Sequence, residues 1–440
     1  MNKFDERVKR TEWMMEDRFG MFIHWGLYAI PARGEWVRSR EEISIDDYQG
    51  FFNEFNPTKY DPKYWAKLAK KAGMKYAVIT TKHHDGFCLF DSKLTDYKAT
   101  NTPAGRDLIT EYVDAFRAEG LKIGFYYSLL DWHHEDYHKY NETHHPMRNN
   151  KDFENEQIDF NKYTDYFHGQ VKELLTNYGK IDIMWFDFSY DSPNGVKSGD
   201  TWKSEELVKM MRELQPDIVI DNRLEHNYQS DNDSDPYDDF TAGNIENYTG
   251  DFVSPEQIIP PNGMVDSKGT LMPWEACITL NNHWGYAAED KDYKSPKQVV
   301  RALVECVSKG GNLLLNVGPT AKGEITDESI KILEEIGMWM DNNGDSIYNC
   351  TRADVAKPEW GRYTQNDKTL YAHIYDRGIG PLNFSGLAEK VKSARLLMDG
   401  SEIKLDIPWN AKNFTGDIFI NLANQKLPDE SDTVVELKLK

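Results

Sequence analysis

The chain has 440 residues, with 52 Lys and Arg against 73 Asp and Glu, a formal charge of −21 at pH 7. Such an acidic excess argues against nucleic acid, heparin-like polyanions and anionic membrane surfaces as partners, because like charge repels them. The length suits up to three domains of about 150 residues, or a barrel of about 250 residues with one smaller domain, and a chain this long buries a full core without disulfide or metal staples.

The N-terminal MNKFDERVKRTEWMMEDRFG is charged throughout and lacks an apolar core, so no signal peptide is expected. No run of about 18 apolar residues is present to span a membrane. Cys88, Cys277, Cys306 and Cys350 are widely spaced with no CxxC, and read as free thiols in a reducing compartment. Together these predict a cytoplasmic protein. No feature of the sequence fixes an oligomeric state.

From residue 18 to 340, short apolar runs alternate with helical patterns. The runs are MFIHWG (21–26), YAVITT (76–81), LKIGFYYS (121–128), IDIMWFD (181–187), DIVIDN (217–222), ACITL (276–280) and NLLLNVG (312–318). Their near-continuous apolarity is that of parallel strands covered on both faces. Helical stretches lie between them at 62–73, 107–120 and 295–310. Gly73, Gly120 and Gly310 stand where those helices should stop, and Ser295-Pro296 reads as an N-cap followed by proline in the first turn. With an eighth strand placed near 245–256, the pattern predicts an α/β fold, a (β/α)8-like (TIM) barrel over residues 1–345. Polar insertions at 133–160 and 224–273 read as βα loops, with 229–239, which holds SDNDSDPYDD, as a disordered surface excursion. Beyond 345 the period changes to two, in 369–378, 391–400, 417–422 and 433–440. This predicts a small antiparallel β-sandwich domain over 346–440.

In such a barrel the chemistry sits where the strands end. The first strand ends in His24-Trp25, with Gly34-Glu35-Trp36 in the next loop. The second ends in Lys82-His83-His84-Asp85-Gly86, the third in Tyr126-Tyr127-Ser128, the fourth in Trp185-Phe186-Asp187 and the fifth in Asp221-Asn222-Arg223. A scaffold needs no such set; a polar pocket with aromatic walls does. His83 and His84 are adjacent, so on a continuing strand only one of them faces the barrel axis. Asp187 closes an apolar run, where a carboxylate is tolerated mainly if paired or used. Two chemistries compete: metal-assisted hydrolysis with His24, His83, His84 and Asp187 as ligands, for which no HxH or HExxH is present, and glycoside hydrolysis by two carboxyl groups. The aromatic content and acidic surface fit the second better.

The segments FGMFIHWGLYAIPARGEW (19–36), KHHDGF (82–87), YYSLLDW (126–132), WFD (185–187), DNR (221–223), WEACITLNNHWGY (274–286) and GGNLLLNVGP (310–319) together resemble glycoside hydrolase family 29, the retaining α-L-fucosidases. The resemblance runs in order from about residue 10 to about 340. It implies a covalent fucosyl-enzyme intermediate formed on Asp187 as nucleophile. It implies fucose contacts from His24, Glu35, Trp36, His83 and His84, further pocket residues at Tyr127, Trp185 and Arg223, and an aromatic wall at Trp284. For the acid/base it offers Glu256, in DFVSPE, ahead of Glu275, in WEACITL. Phe188 stands where the family commonly has glycine, which implies a reshaped pocket floor. The chemistry implied needs no metal or organic cofactor, and the partner implied is a fucosylated oligosaccharide. The alternatives are the metal-assisted hydrolase, a hydrolase of a fucose-like sugar such as an α-L-galactoside, and a sugar-binding module descended from such an enzyme.

Overall fold

The computed structural model describes residues 3–224, 250–265, 271–405, 407–422 and 426–440. The tract 229–239 expected to be disordered, and most of the predicted 224–273 insertion, lie outside the described residues.

Seven parallel strands form one sheet: β1 (Phe19–Ile23), β2 (Tyr76–Lys82), β3 (Lys122–Ser128), β4 (Ile183–Asp187), β5 (Val219–Ile220), β6 (Glu275–Thr279) and β7 (Asn312–Val317), in the order β5-β4-β3-β2-β1-β7-β6. Nearly every residue in them is buried, as expected of strands covered on both faces. The gap between β5 and β6 is bridged by residues 251–257. Asp251 N–H donates to the Ile220 carbonyl, and parallel bridges join Asp221 to Phe252, Val253 to Trp274 and Glu256 to Cys277. This segment takes the eighth position and closes a (β/α)8-like barrel. Its pairing is confined to single bridges around Pro255, which has no N–H to give.

The helices follow their local signals. Ser295 caps Pro296–Ser308 in a full capping box with Gln298, and Gly310 leaves the same helix in the left-handed region at φ 82°. Gly20 answers a packing need instead, since a Cβ there would strike the Tyr76 ring, which fills the lower end of the barrel.

Helix Asp327–Asn343 completes the parallel part. After it come a six-stranded antiparallel sheet spanning residues 351–439 and the antiparallel pair Leu382–Phe384 with Ile418–Ile420. Leu370, Ile374, Phe384, Ile420, Val435 and Leu437 share one core, so the two sheets form a sandwich. Trp339 and Arg301, on barrel helices, donate to the carbonyls of Asp432 and Ser431 and tie the sandwich to the barrel. No described helix is long and apolar enough to cross a membrane.

Candidate active site

At the carboxyl end of the barrel, side chains from strands β1, β3, β4 and β6, from the closing segment and from the loops after β1, β2, β4, β5 and β6 surround a small cavity. Its lining includes His24, Glu35, Trp36, His83, His84, Trp185, Asp187, Arg223, Glu256 and Trp284 of the predicted set, together with Phe22, Tyr126, Phe188 and Cys277. Four of these are only half-buried (Trp36, Phe188, Glu256 and Trp284), and they mark the mouth.

Asp187 ends β4 and is anchored from two sides. Tyr126 OH donates to its Oδ2 at 2.7 Å, and Arg223 Nη1 donates to its Oδ1 at 2.8 Å. Burial pushes its carboxyl above the usual range and Arg223 pulls it back, while the neighbouring Glu256 adds to the rise. Arg223 is held in turn by the closing segment, through Nε to Ser254 Oγ and Nη2 to the Ser254 carbonyl, with its guanidinium 4.4 Å from the Trp185 ring centre. The two residues before it explain its aim. Asp221 accepts the Phe186 N–H, and Asn222 accepts both the N–H and the hydroxyl of Ser254.

The same Arg223 Nη1 lies 2.8 Å from Glu256 Oε2. Both carboxylate oxygens therefore sit 2.8 Å from one nitrogen and can be at most twice that, 5.6 Å, apart. Trp284 Nε1 donates to the other oxygen of Glu256 at 3.2 Å.

The histidines are neutral hydrogen-bonding groups. His24 Nδ1 lies 2.7 Å from Asn316 Oδ1, and the Asn316 amide donates to the Trp284 carbonyl, so Nδ1 carries the proton and Nε2 keeps a lone pair. Burial lowers its pKa to about 3. His84 Nδ1 meets Ser128 Oγ, whose hydroxyl donates to the Leu130 carbonyl, which fixes the same tautomer. Burial holds His83 and His84 well below the usual histidine range. Two buried polar atoms of pocket residues, His83 Nδ1 and Trp185 Nε1, have no protein partner, as expected of groups that a bound ligand satisfies. Glu35 is buried with Oε2 on the Gly285 N–H, which joins the loops after β1 and β6, and burial raises its carboxyl.

His83 and His84 both line the cavity, their ring centres 3.9 Å apart, because β2 stops at Lys82 and the chain turns there, which ends strand alternation. Three expectations are corrected. Tyr127 lies outside the pocket: it points into the helix layer, with its hydroxyl on Gln170. Its neighbour Tyr126 faces inward, in register with Trp185 across β3–β4. Glu275 lies at the other end of the barrel. It is the first residue of β6, beside Tyr76 and Asn312, the first residues of β2 and β7, and accepts from the Tyr76 hydroxyl. Phe188 stands on the rim of the cavity, where the sequence suggested its floor. Asn316 was also missed; its signal was a lone amide inside the run LLLNV. Among the described residues no group of three or more His, Cys, Asp or Glu is placed to hold a metal ion.

The family model described as alpha-L-fucosidase matches residues 2–345. Human tissue alpha-L-fucosidase is 27% identical over 93% of this chain and 84% of its own length. Among solved structures, alpha-L-fucosidase isoenzyme 1 from Paenibacillus thiaminolyticus is 62% identical, with a TM-score of 0.93 over 99% of this chain and 100% of that one. A GH29 alpha-L-fucosidase from Bacteroides thetaiotaomicron, trapped as a covalent intermediate with 2-fluoro-fucosyl fluoride, is 31% identical with a TM-score of 0.82, over 98% and 96% of the two chains.

Proposed function

The chain belongs to the alpha-L-fucosidase family, glycoside hydrolase family 29, and on that premise we propose which of its residues carry the reaction. It is a retaining glycoside hydrolase that removes terminal α-L-fucosyl groups from oligosaccharides through a covalent fucosyl-enzyme intermediate. The comparisons favour neither the metal-assisted hydrolase nor the α-L-galactosidase alternative.

Asp187 is the nucleophile and Glu256 the acid/base. One observation carries this: both carboxylates share Arg223 Nη1, which limits their nearest oxygens to 5.6 Å. That suits the roughly 5–5.5 Å of a retaining pair and falls short of the about 6.5–9.5 Å that an inverting pair needs to admit water. In the first step an Asp187 oxygen attacks C1 while the protonated Glu256 gives its proton to the departing oxygen. In the second, Glu256 takes a proton from water, the water oxygen bonds to C1 and the Asp187 ester bond breaks. Arg223 favours the anion of Asp187, the form a nucleophile requires.

The neutral imidazoles of His24, His83 and His84 offer lone pairs and N–H groups to sugar hydroxyls without adding positive charge where the oxocarbenium-like centre develops. The unpartnered Trp185 Nε1 and His83 Nδ1 meet hydroxyls, and Phe22 and Trp284 give an apolar wall for the 6-methyl group.

The test is to incubate the enzyme with 2-deoxy-2-fluoro-fucosyl fluoride, digest it and locate the label by mass spectrometry. The label is expected on Asp187; a label on any other carboxylate overturns the assignment.

A further inference from the structure

Phe188, the residue after the nucleophile, is bulky and aromatic yet holds φ at 78°. In that left-handed region the backbone favours glycine, and a large side chain is rare. Residues of this kind persist where surrounding structure holds them and the site uses them. The ring of Phe188 is held from four sides: by Trp36 at 5.3 Å between ring centres, His84 at 4.9 Å, His144 at 5.1 Å and Tyr190 at 5.7 Å. That cage is itself fixed. The His144 carbonyl accepts from Ser39 Oγ at 2.7 Å, and the Tyr190 hydroxyl lies in a buried chain with Tyr137 and Glu142. Although caged, Phe188 stays half-buried and lines the cavity.

The topology shows what passes it. Phe188 and His144 stand on the loops after β4 and β3. Glu256 and Trp284 come from the closing segment and the loop after β6, on the facing arc of the barrel. A fucosyl group seated deep in the pocket, with C1 at Asp187, must send its leaving group out between these two arcs. Glu256 stands on one arc, and the half-buried Phe188 ring lines the cavity from the other.

We propose that Phe188, backed by His144 and Tyr190, is a specificity-determining residue: it forms the subsite for the group attached to fucose and stacks on the apolar face of a leaving sugar or aryl ring. The proposal rests on the assignment of Asp187 and Glu256 made above. The residue does no chemistry; its contact exists only when the leaving group has a ring.

The test compares wild type with Phe188→Gly and Phe188→Tyr on two substrates, α-L-fucosyl fluoride and 4-nitrophenyl α-L-fucoside. Fluoride cannot reach the proposed subsite. Phe188→Gly should lower kcat/KM for the aryl fucoside about tenfold more than it lowers that for the fluoride, the scale of one aromatic stacking contact. Phe188→Tyr, which keeps the ring, should restore the aryl fucoside to within about threefold. Equal losses on both substrates would assign Phe188 to the shape of the fucose pocket and overturn the subsite, as would no loss on either. A wrong nucleophile shows separately, as label on a residue other than Asp187, so the two failures are distinguishable.

Discussion

The barrel buries a carboxyl group at each end, and each has a tyrosine from another strand donating to it: Tyr126 to Asp187 at the mouth, Tyr76 to Glu275 at the base. What surrounds the two pairs differs. At the mouth Arg223 contacts Asp187 and also reaches a second, half-exposed carboxylate, Glu256. At the base no ion pair to Glu275 is found among the described residues. Burial there outweighs the hydrogen bonds with Tyr76 and Asn312 and pushes the carboxyl up to about 8, with Oε1 left unpartnered. Burial alone makes a neutral, structural acid; burial beside a guanidinium makes a carboxylate poised to attack.

Removing the charge at the mouth should have the largest effect. Asp187→Asn keeps the shape and the Tyr126 contact but deletes the anion, and hydrolysis of 4-nitrophenyl α-L-fucoside should fall on the order of 10⁴-fold, as for loss of a covalent nucleophile. A loss below about tenfold would place the two ends on a par. Next comes Glu256→Ala. Here kcat/KM on substrates with poor leaving groups should drop about 10²–10⁴-fold, the usual worth of general acid catalysis. Azide should restore turnover on an activated aryl fucoside and give an α-fucosyl azide, since it attacks the Asp187 ester with a second inversion; absence of that product would remove Glu256 from the acid/base role.

Glu275→Gln should change least, with activity within about threefold of wild type. Its signature lies in stability. Between the ordinary glutamate value of 4.5 and about 8, the folded chain holds a proton on Glu275 that the unfolded chain has released. Stability therefore falls as pH rises through that window, and the proton difference contributes up to about 1.4 kcal/mol per pH unit. Glutamine has no proton to release, so this part of the slope should vanish in denaturant melts at pH 5, 6, 7 and 8. A large loss of turnover with an unchanged slope would restore Glu275 as a reacting group.

Much of the site was legible because strand ends announce themselves. His24, Asp187 and Arg223 each close an apolar run, and a polar residue there is either at a barrel mouth or misplaced. The choice between neighbours was not legible. Tyr126 and Tyr127 have the same chemistry and similar flanks, and only the pairing of Tyr126 with Trp185 tells which points inward. His83 and His84 both reach the cavity because pairing stops one residue earlier, at Lys82. Glu256 and Glu275 separate by strand position, for a carboxylate at the start of a barrel strand is a full strand length from one at the end.

The sequence by itself determined the element order, the change from mixed to purely antiparallel structure after residue 345, and the residue types that reach the mouth. Period, capping and apolar runs are local properties, written within a few residues of where they act. Tertiary structure alone decided which side chains share the cavity, which carboxyl group stands beside Asp187 and how one arginine reaches both. Those facts depend on register and on closure of the barrel by residues 251–257, which bring together groups far apart along the chain.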